Sequence, residues 1–148
     1  MQTKQISVFL ENKVGRLAEV ARILARDGVN IRALSLADTS DFGVLRLLVS
    51  DADKARHALK DNGFTVRVSD VTAVPVKDEP GGLLRVLDIL LAASINIEYM
   101  YAYANPKGGK AVMIFRFEPE ERAVSVLAEN GITVLGAEDL SAMEEAGA

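Results

Sequence analysis

Asn12-Lys13-Val14-Gly15-Arg16-Leu17-Ala18-Glu19-Val20 and Asp78-Glu79-Pro80-Gly81-Gly82-Leu83-Leu84-Arg85-Val86 are one pattern written twice, at an offset of 66 (78 − 12). Gly15, Leu17, Val20, Ile23, Leu24, Asn30 and Ile31 recur unchanged as Gly81, Leu83, Val86, Ile89, Leu90, Asn96 and Ile97. Further on the offset becomes 68 (112 − 44): Val44, Ala55, Leu59, Asn62, Gly63, Thr65 and Val66 recur as Val112, Ala123, Leu127, Asn130, Gly131, Thr133 and Val134. Self-similarity of this kind marks a duplicated structural unit, with two residues added in one turn.

The periodicities inside each copy agree. Gln5 to Leu10 alternates as a strand does, and Leu17, Val20, Ala21 and Leu24 share a helical face that Gly28 ends. Val29 to Ala37 and Gly43 to Val49 read as strands joined by the turn Asp38-Thr39-Ser40-Asp41. Asp51 sits at a helix N-cap, Ala55, Ala58 and Leu59 face one way, Asn62-Gly63 stops the helix, and Phe64 to Val68 is the last strand. The second copy repeats the order with Val71 to Val76, Leu83 to Ala93, Ile95 to Tyr103, the turn Asn105 to Gly109, Ala111 to Phe117, Pro119 to Asn130 and Ile132 to Leu135, Pro119 falling in a helix first turn.

The order β-α-β-β-α-β predicts an α+β, ferredoxin-like fold: an antiparallel four-stranded sheet with both helices on one face, made twice. The expected domains are residues 1–69 and 70–148. Val68-Ser69-Asp70-Val71 passes almost directly from strand to strand, so the copies are expected to pack closely.

Composition removes several function classes. A net charge of −4, with cations scattered singly, offers no basic field for nucleic acid. With no cysteine and one histidine, His57, there is no thiol nucleophile, no Cys-based metal site and no metal-ligand spacing, and no cofactor is expected. The stretch Lys107-Gly108-Gly109-Lys110 lies in a hairpin and lacks the long loop and following helix of a phosphate cradle. Met1 to Gln5 leads into an alternating pattern, and apolar runs such as Ile89 to Ala93 are far short of the roughly 20 residues that cross a bilayer. The expectation is a cytoplasmic protein that is not an enzyme.

The turn after the first strand of each copy is where chemistry can sit. A helix N-terminus leaves backbone N–H groups without partners and carries partial positive charge, which suits a small carboxylate, and glycine permits close approach. Asn12 or Asp78 offers acceptor oxygens to an amine. Eighteen residues later, Asn30 or Asn96 opens the second strand, expected to lie beside the first. The competing reading is that Gly15 only makes a tight turn and Asn12 only caps a helix. Tyr99, Tyr101 and Tyr103 form a stripe that either packs or lines a pocket.

Glu11 to Leu17 followed by Gly28-Val29-Asn30-Ile31 resembles the ACT domain of the regulatory regions of phosphoglycerate dehydrogenase and aspartokinase, and the resemblance covers the chain twice. It implies an amino-acid effector held by Asn12, Val14, Gly15, Arg16, Leu17, Asn30 and Ile31, or by Asp78, Pro80, Gly81, Gly82, Leu83, Asn96 and Ile97, between the turn of one domain and the strand of a neighbour. Leu10 stands where serine-binding members carry histidine, which argues against serine. The same resemblance implies a homodimer and a separate metabolic enzyme as partner. A ligand-free adaptor acting through its sheets is the alternative.

Overall fold

In the computed structural model, residues 3–38, 41–103 and 110–146 are described. The chain divides into two compact units, Lys4–Ser69 and Asp70–Ala148 with Met1–Thr3. The boundary falls inside a strand.

The N-terminal unit runs β1 (Thr3–Glu11), α1 (Arg16–Arg26), β2 (Ile31–Asp38), β3 (Phe42–Val49), α2 (Ala52–Asp61) and the start of β4 (Thr65–Lys77). Its strands lie in the order β2-β3-β1-β4, with β3 antiparallel to both β1 and β2. The inward faces of β1 and β3 place Ile6, Val8, Leu10, Leu45 and Leu47 against Val20, Ile23 and Leu24 of α1 and Ala55, Ala58 and Leu59 of α2. Full burial of each larger aliphatic contributes about 1.5–3 kcal/mol over leaving it exposed. Asp51 caps α2 as expected, its carboxylate accepting from the Lys54 N–H at 3.1 Å.

The C-terminal unit uses the rest of β4, then α3 (Gly82–Ala92), β5 (Asn96–Ala102), β6 (Lys110–Glu118), α4 (Glu120–Glu129) and α5 (Ala137–Ala146). Its order is β4-β6-β5, both pairings antiparallel. Val74, Val76, Val86, Leu90, Phe115, Phe117, Ala123 and Leu127 form the counterpart core, and the Phe115 and Phe117 rings stack 5.0 Å apart.

Several expectations need correction. β2 does not lie beside β1, because β3 stands between them, and β6 likewise separates β4 from β5. Phe64 to Val68 and Val71 to Val76 are one strand, since Ser69 and Asp70 continue the extended backbone. Ile132 to Leu135 is reduced to a single bridge, Ala73 to Leu135, so the second sheet has three full strands among the described residues. Pro119 is the N-cap of α4 rather than part of its first turn. Helix α5 lies beyond the repeat and has no counterpart in the N-terminal copy. Thr39 and Ser40 of the first hairpin turn, and the whole of Asn105 to Gly109, lie outside the described residues.

Candidate functional site

Both strand-to-helix turns form in the same way. Gly15 and Gly81 stand at the helix N-caps with φ of 88° and 85°, the left-handed region that favours glycine. Neither helix receives a side-chain cap, so the capping by Asn12 that the competing reading supposes does not occur. The first helical amides bond to the backbone of the turn instead, Arg16 N–H to the Lys13 carbonyl at 3.3 Å and Gly82 N–H to the Glu79 carbonyl at 3.0 Å, and no side chain caps the rest of the first turn. In the second turn Gly82 is required by space: a Cβ there would lie 2.0 Å from the Lys77 carbonyl oxygen.

The first turn is tied down by ion pairs. Glu11 accepts from Lys13 at 2.8 Å and from Arg16 at 3.2 Å, and Arg16 also reaches Glu19 at 3.1 Å. The Lys13 hydrogen bond and charge, with Arg16 behind them, hold the Glu11 carboxyl below its ordinary value. Bonding to Glu19, and the Glu11 charge, raise the Arg16 guanidinium. Asn12 donates its backbone N–H to the Asp41 carbonyl.

Among the predicted residues, Asn12, Arg16 and Leu17 line a notch of only about 70 Å³, with Leu10, Leu36 and Gly43. At about 30 Å³ per water molecule this holds a couple of waters, not an amino acid. Val14 is fully exposed at the tip, and Leu17 and Leu36 are half exposed, an apolar rim that is not covered within this unit. Asn30 and Ile31 are elsewhere. Ile31 pairs with Val49, while Asp38 pairs with Gly43 near the turn, so Asn30 stands roughly 25 Å away along the strand direction. Its backbone exchanges hydrogen bonds with Ser50. Within one copy, then, the turn and the strand asparagine do not meet.

The second turn differs. Pro80, Gly81 and Gly82 border a cleft of about 460 Å³, with Lys77, Glu79, Arg85, Lys110 and the Gly131-Ile132-Thr133 segment around it. That volume lies within the roughly 300–1,000 Å³ usual for small-molecule sites. Asp78, Leu83, Asn96 and Ile97 do not line it. Lys77, Arg85 and Lys110 were missed by sequence reasoning, although aligning the copies exposes them: they replace Glu11, Glu19 and Phe42. Tyr101 and Tyr103 are buried and the stripe lines none of these clefts, which is packing. His57 is exposed on α2. Among the described residues no group of three His, Asp or Glu side chains is placed to hold a metal ion, and no helix is long and apolar enough to cross a membrane.

Comparison with known proteins places these turns in a family context. The ACT domain pair profile matches residues 1–144. A curated relative, the acetolactate synthase small subunit of Aquifex aeolicus (strain VF5), is 31% identical over 90 residues, covering 55% of this chain and 45% of its own length. The chain thus matches under half of that relative. A Bacteroides thetaiotaomicron protein of known crystal structure is 45% identical with a TM-score of 0.89, covering 95% of this chain and 96% of its own. The ligand-free regulatory subunit of aspartate kinase from Thermus thermophilus shares the fold, with a TM-score of 0.60 at 16% identity over 85% of this chain and 91% of its own.

Proposed function

The chain belongs to the ACT domain pair family, and from that premise we propose that it is a regulatory protein that senses an amino acid and acts on a separate enzyme. The observation that carries this reading is the duplicated turn, in which a left-handed glycine opens a helix whose first amides have no side-chain cap. Such amides attract a carboxylate. Asn12 or Asp78 takes the ammonium group. Because Asn30 and Asn96 lie far from the turns of their own copies, they contribute only to a site that a second molecule completes. The exposed rim of Val14, Leu17 and Leu36 fits such covering by another copy, and a homodimer is the assembly this reading favours.

The acetolactate synthase small subunit is by name the companion of a synthase, which supports a separate enzyme as the partner here. An effector held between two molecules changes the partner only if it binds one arrangement of the dimer better than another. Thermal unfolding of the whole protein with each of the twenty amino acids at millimolar concentration tests the reading. At least one should raise the melting temperature, and Asn12→Ala or Asn96→Ala should weaken its binding in calorimetry. If none does, the chain is a ligand-free adaptor instead.

A further inference from the structure

The two copies differ in the cleft that flanks the turn. In the C-terminal unit it measures about 460 Å³ and is bordered by Lys77, Arg85 and Lys110 against one carboxylate, Glu79, leaving two positive charges in excess. In the N-terminal unit the equivalent cleft is about 200 Å³ and contains Arg16 where the other copy has Gly82. Arg16 occupies that space: its guanidinium lies 5.7 Å from the Phe64 ring centroid and bonds both Glu11 and Glu19. At the aligned positions two cations, Lys13 and Arg16, balance two carboxylates, Glu11 and Glu19.

No such balance exists in the second copy. Lys77 and Lys110 are Cα partners across β4 and β6, and like charges directly opposite each other destabilise a sheet. The same rung of the first copy pairs Glu11 with Phe42. Among the described residues, Lys77, Arg85 and Lys110 form no ion pair. A cavity large enough for a small molecule, edged by unbalanced cations, favours an anionic occupant.

We propose that this cleft binds a small molecule carrying two carboxylates, and that only the C-terminal unit offers it, the N-terminal equivalent being narrowed by its own Arg16 to less than half the volume. An acidic amino acid fits the signs of these groups, its two carboxylates facing the cations and its ammonium facing Glu79. This rests on the effector-binding reading above, adds the copy and the charge class, and moves the ammonium contact of the second copy from Asp78, which does not line the cleft, to Glu79.

Calorimetry on the full chain with L-aspartate, L-glutamate, succinate, L-asparagine, L-glutamine and inorganic phosphate decides it. Aspartate, glutamate or succinate should bind, the amides of the same shape should bind at least about tenfold more weakly, and affinity should fall with added salt. Arg85→Glu and Lys110→Phe, the residues of the first copy, should each abolish binding, with cooperative unfolding retained as evidence of an intact fold. Equal binding of the amides, equal binding of phosphate, or undiminished binding in Arg85→Glu overturns the proposal. A neutral amino acid that binds regardless of Arg85→Glu leaves the regulatory reading standing without this site. Succinate binding while no amino acid binds does the reverse.

Discussion

Lys77 and Lys110 face each other across an antiparallel pair of strands, at the rung where the N-terminal copy places Glu11 opposite Phe42. Their repulsion is a cost to the fold, one that the anion proposed above would offset. Lys110→Phe is therefore expected to stabilise the free protein, by about 0.2–1 kcal/mol, while removing the stabilisation that a dicarboxylate gives. Urea unfolding with and without succinate measures both effects.

Ser94 occupies the position after α3 that Gly28 occupies after α1, and both are left-handed, with φ of 56° and 73°. The helix ends match in their backbone bonds: Ser94 N–H to the Leu91 carbonyl and Ile95 N–H to that of Leu90, against Gly28 to Ala25 and Val29 to Leu24. A side chain in this conformation costs roughly 1–2 kcal/mol. Ser94→Gly should recover about half or more of that as added stability in denaturant titration.

Gly82→Ala should do the opposite. The new methyl group would overlap the Lys77 carbonyl, so the turn must open. A loss of about 1–3 kcal/mol is expected, together with loss of any ligand bound at this turn. Gly15→Ala has open space around it and pays only for its φ of 88°, so its cost should be the smaller of the two.

Glu11 gives a pH signature. Its carboxyl is held below the ordinary value of 4.5 by Lys13 and then Arg16, so its contribution is present above the unfolded value and is lost as pH falls through the lower folded one. Glu11→Gln should thus be less stable than the parent at neutral pH, and the difference should vanish in acid below that folded value. High salt should shrink it at every pH, because the group is exposed to solvent.

The fold was legible because duplication printed each signal twice. Gly15 with Gly81, and Asn62-Gly63 with Asn130-Gly131, mark the same helix boundaries in both copies. The long β4 was not legible, since Ser69 and Asp70 are residues that usually interrupt a strand. Helix α5 had no counterpart to align against, although the Gly136 N–H bonded to the Asp139 carboxylate at 2.8 Å is a capping contact that the spacing could have suggested. Only part of the candidate site was legible, for a similar reason. Reading for what the copies share found the glycines and asparagines, whereas the cations of the larger cleft stand where the copies differ. Strand direction mattered too: β1 and β2 are both antiparallel to β3 and so run parallel to each other, which puts Asp38 at the level of the turn after β1 and Asn30 at the far end.

Amide chemical shifts of the Gly81-Gly82-Leu83 turn, followed while the full protein is titrated with amino acids, test the account most directly. It predicts saturable movement of these amides with at least one amino acid at millimolar concentration or below, larger than the movement at Gly15, Arg16 and Leu17 when that amino acid is acidic. If none of the twenty moves either turn, or if saturable shifts arise only elsewhere, an effector-binding role for these turns is wrong.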